Sequence, residues 1–236
     1  MRRVQSSLVL AALTVLPAVA VAQAGAAQAG DASRAVAGGG IMVAGWQAAL
    51  DPKEAMGGAT IQQSKLTKEG DALKVTTGPA IAYYHPSNTA TGTYTVKATF
   101  TEKEFMGLNG HAHPYGVFIG GNDLNGSAAS YLYCTAYGDG RFIVRGFGPA
   151  AFALGRPAAA ASVNKAGAKG QPVTQEIAIN VNADNVECAI NGTVVASFPK
   201  SDVVAAGKLK STDGIYGVRF GHNTEATITG LTMVKK

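Results

Sequence analysis

The chain has 236 residues, of which 47% are hydrophobic and 15% are charged. This low charge content excludes a charge-rich disordered chain and a coiled coil. Its 30 glycines, without a Gly-X-Y repeat, indicate many tight turns and favour an all-β protein. The formal net charge of +5 is spread along the chain without a concentrated basic stripe, which argues against nucleic-acid binding.

The first 22 residues have the pattern of a signal peptide. Arg2 and Arg3 form a basic start, residues 8–22 carry no charge, and the run ends in Ala-Val-Ala, which is typical of a cleavage site. The charge-free run is too short to cross a bilayer comfortably, and no later segment is apolar enough to do so. We therefore expect export to the periplasm or the medium, with a flexible Ala/Gly-rich leader at 23–40 and one domain at 41–236. Removal of residues 1–22 leaves 18 basic and 15 acidic residues, a net charge of +3.

Residues after 41 alternate between runs rich in Val, Ile, Thr, Tyr and Phe and clusters of Gly, Asn and Asp. About twelve such runs predict an all-β fold, an antiparallel β-sandwich of the jelly-roll type. One short helix is expected at 202–206, and residues 148–172 are expected to form a long loop. The predicted strands are 59–63, 72–76, 80–84, 92–101, 115–120, 130–137, 141–147, 174–181, 186–190, 193–198, 214–220 and 226–234.

One predicted hairpin carries a distinctive pair of faces. Asp139-Gly140 favours a three-residue loop with Gly140 in the left-handed conformation, which pairs Tyr133 with Arg145. Strand alternation then gives an inward face of small and apolar residues, namely Leu132, Cys134, Ala136, Phe142 and Val144. It gives an outward face of aromatic and basic residues, namely Tyr131, Tyr133, Tyr137, Arg141 and Arg145.

A second predicted hairpin turns at Asn191-Gly192, the preferred pair for a type I′ turn, and directs Cys188 inward. Cys188 and Cys134 are the two cysteines of the chain. In an oxidising compartment they could form one disulfide. Each could equally be a small buried apolar residue, because the sequence does not give the Cα separation that a disulfide needs.

Seven segments follow one another in a recognisable order. They are Gly45-Trp46, 94–100 (YTVKATF), 115–119 (YGVFI), the hairpin at 131–145, 176–180 (EIAIN), 188–192 (CAING) and 213–219 (DGIYGVR). This order resembles the concanavalin A-like lectin/glucanase superfamily, including its laminin-G-like, family-16-glycosidase-like and 3-keto-disaccharide-hydrolase-like branches. The resemblance covers about 41–236 and implies a jelly-roll fold with a glycan or polysaccharide partner. It supports the fold more strongly than an activity.

Two polar segments are candidate metal sites. Asn122, Asp123 and Asn125 supply clustered oxygens, which suit Ca²⁺, and the resembling fold often carries a structural calcium. An Asx-type turn explains the same residues equally well. His111 and His113 would point the same way in an extended chain, either as metal ligands or as part of a polar loop.

The sequence is compatible with three functions. The resemblance favours a non-catalytic glycan-binding or accessory domain that uses the Tyr/Arg face, to which Trp46, Tyr83 and Tyr84 could add. One alternative is a glycoside hydrolase that uses Glu104 or Asp123. The family-16 enzymes carry Glu-x-Asp-x-x-Glu on one strand, whereas residues 102–104 (EKE) have no third acid after them. The other alternative is a structural surface protein.

Overall fold

The computed structural model describes residues 32–108 and 110–236, and the residues from Ser33 onward form one compact unit. The predicted signal peptide and the first half of the predicted leader, residues 23–31, lie outside the described residues. Within the described part of the chain, no helix is long and apolar enough to cross a membrane.

The described residues form sixteen strands in two sheets. Sheet A consists, in spatial order, of β1 (Gly40–Ile41), β3 (Lys65–Glu69), β4 (Ala72–Thr76), β16 (Glu225–Lys235), β6 (Tyr94–Glu102), β12 (Val173–Val181), β13 (Asn185–Ile190) and β14 (Thr193–Pro199). Sheet B consists of β10 (Ala151–Ala153), β9 (Arg141–Phe147), β8 (Ser130–Ala136), β7 (Tyr115–Asn122), β15 (Gly214–Phe220), β5 (Ile81–Ala90) and β2 (Gln47–Leu50), with β11 (Ala158–Ala159) also beside β9. Helices α1 (Pro52–Met56) and α2 (Lys200–Val203) are short.

The prediction of an all-β antiparallel sandwich is confirmed, and eleven of the twelve predicted strands are present. The strand predicted at 59–63 is wrong. A 3₁₀ turn occupies Ile61–Gln63, and the Thr60 N–H donates to Gln63 Oε1 at 2.7 Å. This side-chain bond closes the turn and competes with an extended backbone.

The strands that the pattern missed are short or polar. β1, β2, β10 and β11 have two to four residues, too few for alternation to be visible, and β3 (KLTKE) has one apolar residue. β10 and β11 lie in the segment predicted as a loop at 148–172, and both pair with β9. The segment therefore adds an edge to sheet B.

The main core lies between the sheets and is lined by alternate residues of their strands. Phe100 of sheet A packs its ring 5.6 Å from that of Tyr115 and 6.0 Å from that of Phe220, both of sheet B. All five residues predicted for the inward face of the β8–β9 hairpin belong to this core.

Cys134 and Cys188 form a disulfide with a Cα separation of 5.7 Å, which settles the alternative that the sequence left open. The bond connects β8 of sheet B to β13 of sheet A and so crosses the core. A disulfide in this position is typical of a protein from an oxidising compartment.

Both predicted turns are confirmed, and so is the register predicted for the first hairpin. Tyr133 pairs with Arg145, and Gly140 has a φ of 92°. In the second hairpin, Asn191 and Gly192 have φ values of 51° and 80°, as a type I′ turn requires.

Candidate functional site

The outer face of sheet B, which points away from the main core, carries a second apolar cluster. The register places one row of residues across this face: Arg145 beside Tyr133, Tyr133 beside Phe118, and Gly217 between Phe118 and Tyr84. Alternate residues of a strand point to opposite faces, so the neighbours of this row on β8 turn into the main core.

The aromatic residues of this outer face are buried. Tyr131 and Tyr133 are 3% and 5% exposed, and the Tyr131 ring lies 5.1 Å from both Phe118 and Phe147. Burial raises the pKa of both tyrosines above the ordinary value, so their hydroxyls stay protonated. The face is therefore a packed aromatic layer.

A buried ion pair lies at the edge of this layer. Arg219 of β15, 6% exposed, pairs with Asp51, which directly precedes α1. The guanidinium carbon also lies 4.6 Å from the centre of the Tyr133 ring, and the Tyr131 hydroxyl donates to Asp51 Oδ1 at 3.1 Å. Burial lowers the pKa of Arg219, but the charge of Asp51, the neighbouring Tyr133 and Tyr131 and the hydrogen bond to Asp51 together raise it overall, so Arg219 stays cationic.

The sheet around Arg219 is tightly packed. The direct neighbour of Arg219 on β7 is Gly116. A Cβ on Gly116 would lie 2.1 Å from the Cys134 carbonyl oxygen of β8, so this close approach of the two strands requires glycine. Among the described residues, Arg219 Nε has no hydrogen-bond partner, which leaves one donor of the guanidinium unsatisfied.

A cleft of about 340 Å³ opens at this point, and we call it the sheet B cleft. Its volume lies in the lower part of the range for small-molecule sites, roughly 300–1,000 Å³. Exposed Lys53 and Arg145 bring positive charge to it, and Phe147 and Phe152 supply half-buried rings. The lining residues are Asp51, Lys53, Tyr133, Arg145, Gly146, Phe147, Ala151, Phe152, Ala153 and Arg219.

The five residues predicted for the Tyr/Arg face lie in two places, near the sheet B cleft and at the end of the hairpin. Tyr133 and Arg145 line the sheet B cleft, and Tyr131 contacts it through Asp51. Tyr137 and Arg141 lie at the hairpin end and do not line it. There the Arg141 guanidinium stacks 4.7 Å from the Tyr137 ring centre and donates to Asp139 Oδ2 at 2.6 Å and 2.9 Å.

The three additional aromatic candidates do not line the sheet B cleft either. Tyr83 is fully buried in the main core, and Trp46 packs at the edge of that core with its ring 6.5 Å from His85. The Tyr84 hydroxyl donates to Gln47 Oε1 at 3.0 Å and accepts a hydrogen bond from Asn125 Nδ2 at 2.8 Å.

The oxygen-rich turn after β7 distributes its side chains among different partners. Asn122 Nδ2 donates to the Gly120 carbonyl at 3.0 Å, and Asn125 reaches the hydroxyl of Tyr84. Asp123, with a φ of 50°, accepts the Ala128 N–H at 2.9 Å through Oδ2. These bonds are those of a polar turn, and the calcium site predicted at Asn122, Asp123 and Asn125 stays a prediction.

Sequence patterns missed Asp51, Lys53 and Arg219 as site residues. A signal did exist for Arg219, because a charged residue within an otherwise apolar strand (GIYGVRF) needs a buried partner. None existed for Asp51, which is brought to Arg219 by the tertiary fold alone.

A second cleft, of about 270 Å³, is lined by three carboxylates, Glu102, Glu104 and Glu225, together with Lys103, Gly107, Leu108 and Asn223. Glu102 is 6% exposed, and its Oε1 accepts the Met106 N–H at 3.2 Å. Burial raises the pKa of Glu102 to about 7, the Met106 N–H opposes this shift, and the charge of Asp139 adds to it. A carboxyl with such a pKa can act as a general acid.

Comparisons with known proteins show the fold. No family model and no curated protein matches the sequence. The carbohydrate-binding module CBM66 from Bacillus subtilis matches the structure with a TM-score of 0.54 at 8% identity, over 84% of this chain and 99% of the module. A Bacillus subtilis protein of unknown function with a galectin-like fold matches with a TM-score of 0.55 at 11% identity, over 80% of this chain and 89% of that one. The protein has the concanavalin A-like jelly-roll fold.

Proposed function

We propose that the protein is an exported carbohydrate-binding or accessory domain, without catalysis of its own, and that the sheet B cleft holds a saccharide. The observation that carries this proposal is the combination in one cleft of aromatic rings with charged hydrogen-bond donors. Sugar rings present apolar C–H faces and polar edges. Phe147 and Phe152 suit the faces, and the guanidinium of Arg145 suits the hydroxyl or carboxylate groups.

The charges of the cleft favour an acidic saccharide. Asp51 is neutralised by Arg219, so Lys53 and Arg145 remain as uncompensated cations among the lining residues. A uronate or sulfated sugar would therefore bind more tightly than a neutral one, and its binding would weaken with added salt.

Arg145 and Arg141 provide a matched test because both lie on β9 and neither is buried. We expect Arg145→Ala to weaken binding to an immobilised polyuronate by about tenfold or more, and Arg141→Ala to leave it unchanged. Affinity electrophoresis in gels that contain alginate, pectate or a neutral glucan would measure both variants. Equal binding by the two variants would overturn the site assignment. Absence of binding to every polysaccharide would favour the structural surface protein.

A second candidate function, glycoside hydrolysis, is favoured by the carboxylates of the second cleft. Glu102 would serve as the acid, and Glu104 or Glu225 would be the second carboxylate. Reducing ends released from polysaccharides by the protein, and lost in Glu102→Gln, would establish it. A product that does not change between the protein and Glu102→Gln would remove this candidate.

Export is supported by the disulfide and by the pattern of the first 22 residues. We expect the protein to occur in the periplasm or the medium with Gln23 as its first residue. Mass spectrometry of the N-terminal peptide would measure this. Recovery of intact Met1 from a washed cytoplasmic fraction would contradict it.

A further inference from the structure

Three of the four histidines of the chain meet at one place outside the sheet B cleft. His111, His113 and His222 each offer a ring nitrogen, and these nitrogens all lie within 4.8 Å of one another. The ring centres of His111 and His113 are 4.4 Å apart, and those of His113 and His222 are 4.1 Å apart. The sequence suggested only the first pair, because His222 is far away along the chain.

Backbone contacts, rather than contacts between the imidazole rings, bring the segment of His113 and Pro114 next to the segment of Gly221 and His222. The Gly221 N–H donates to the Pro114 carbonyl at 2.7 Å, next to His113 and His222. A Cβ on Gly221 would lie 2.9 Å from Pro114 Cδ and 3.2 Å from His113 Cβ, so this approach requires glycine. The Thr77 hydroxyl donates to the Gly221 carbonyl at 2.7 Å and accepts the Thr224 N–H at 3.0 Å. The turn that carries His222 is therefore held in place by hydrogen bonds to Thr77.

A carboxylate stands beside the cluster. Glu54 Oε1 lies 3.8 Å from His222 Nδ1, and Glu54 Oε2 accepts a hydrogen bond from the Ser33 hydroxyl at 3.3 Å. In metal sites a carboxylate next to a ligating histidine typically fixes the orientation and tautomer of the ring. Glu54 is placed to do this for His222.

We propose that His111, His113 and His222 bind one divalent transition-metal ion, with Zn²⁺ as its representative, and that Glu54 is a positioning residue for His222. Imidazole ligands suit Zn²⁺, Cu²⁺ and Ni²⁺, whereas Ca²⁺ and Mg²⁺ require oxygen ligands. Zn–N bonds of about 2.0–2.1 Å need the three nitrogens to be about 3.4 Å apart. The observed spread of up to 4.8 Å is wider than this, so metal binding requires the three side chains, of which His111 is exposed, to move closer together. Three protein ligands leave one tetrahedral position for water or an added ligand.

The test uses the mature chain purified without a histidine tag and treated with EDTA, so that other imidazoles and residual metal do not contribute. Isothermal titration with Zn²⁺ should give one ion per chain, and a prior excess of Ca²⁺ should leave this binding unchanged. Co²⁺ should produce the intense visible absorption of a four-coordinate site. Cu²⁺ should compete with Zn²⁺ for the same site.

His85 supplies the matched control, because it lies beside Trp46 and outside the cluster. His113→Ala and His222→Ala should abolish one-to-one binding of Zn²⁺, and His85→Ala should retain it. Glu54→Gln should retain the stoichiometry but weaken binding by about 10–100-fold, as loss of a supporting carboxylate does. Circular dichroism of each variant would show whether it still folds.

Two results would overturn the proposal. One is the absence of Zn²⁺ binding by the folded chain at micromolar concentrations. The other is equal binding by folded His113→Ala and His85→Ala, which would place the metal elsewhere. Glu54→Gln that binds as tightly as the unchanged chain would overturn the role of Glu54 alone.

Discussion

The two sheets of the sandwich share one core but differ on their outer faces. The outer face of sheet A is a polar ladder: Thr95 donates to Asn180 at 2.7 Å, Asn180 donates to Glu187 at 3.3 Å, and Lys97 pairs with Glu176 at 2.9 Å. The outer face of sheet B is an aromatic layer with one buried ion pair. The two sheets of a sandwich bury one apolar interface between them. The apolar outer face of sheet B is additional to this interface, so other parts of the chain have to cover it.

Cover on sheet B comes from two segments outside its central strands. Asp51 and Lys53 contribute at the start of α1, and Ala151–Ala153 of β10 contribute from the other side. Where the two segments leave a gap, the sheet B cleft opens. The difference between the faces shows that the candidate site arises where a sheet carries more apolar surface than the fold itself requires.

The largest expected effect on stability comes from removal of the disulfide, which connects sheet A to sheet B. Replacement of Cys134 and Cys188 by Ala should lower the free energy of unfolding by about 4 kcal/mol, because the bond spans 54 residues of sequence. Urea unfolding followed by fluorescence would measure this loss. Since the bond ties sheet A to sheet B, both outer faces should lose protection in hydrogen exchange together. Loss of protection on one face only would show that the sheets unfold separately.

Breaking the ion pair of sheet B should have the next largest effect. Asp51→Ala leaves the charge of Arg219 buried without its partner, which should cost about 3 kcal/mol of unfolding free energy. The double variant Asp51→Ala with Arg219→Met removes both charges and should recover part of the loss. Denaturant titration would compare the two variants. A double variant less stable than Asp51→Ala would contradict this account.

A pH-dependent effect is expected from Glu102, a buried carboxyl at the end of β6 in sheet A. Its folded-state pKa of about 7 lies above the ordinary 4.5, so between these pH values the folded chain retains a proton that the unfolded chain has lost. The free energy of unfolding should therefore fall as pH rises from 4.5 to 7, by up to about 3 kcal/mol, and stay lower above that window.

Urea titrations at pH 5, 6, 7 and 8 would measure this slope. Glu102→Gln should flatten it, whereas Glu104→Gln, two residues away and exposed, should not. A slope that persists in Glu102→Gln would assign the pH dependence to another group.

The smallest effect is expected on the outer face of sheet A. The Lys97 and Glu176 side chains are 41% and 39% exposed, so Glu176→Ala should cost no more than about 1 kcal/mol. The loss should shrink further in 0.5 M NaCl because salt screens exposed charges. Thermal melts with and without salt would measure it. A loss as large as that in Asp51→Ala would erase the distinction between the two faces.

Much of the fold could be predicted because turns and alternation are local properties. Asp139-Gly140 and Asn191-Gly192 determine the geometry of their own turns, and the first hairpin has the predicted register. Alternation within β8 also places Cys134 in the core. Strands of two to four residues were missed because alternation needs more positions than they have.

Less of the candidate site could be predicted, because it depends on contacts between distant segments. Strand alternation predicts that Tyr133 and Arg145 both point outward. That Tyr133 is buried and Arg145 is exposed depends on which distant segments pack over the sheet. Asp51 reaches Arg219, and His222 reaches His113, only through the packing of the whole chain. No local pattern encodes these pairs.

The disulfide also gives the chain a covalent ring that contains β9, β10, β11 and β12. A protease that cuts one peptide bond between residues 148 and 172 opens this ring without releasing a fragment. The nicked protein would run as one species in gel electrophoresis without reductant and as two species after reduction. A single cut in this segment, part of which borders the sheet B cleft, therefore leaves the two parts of the chain covalently joined.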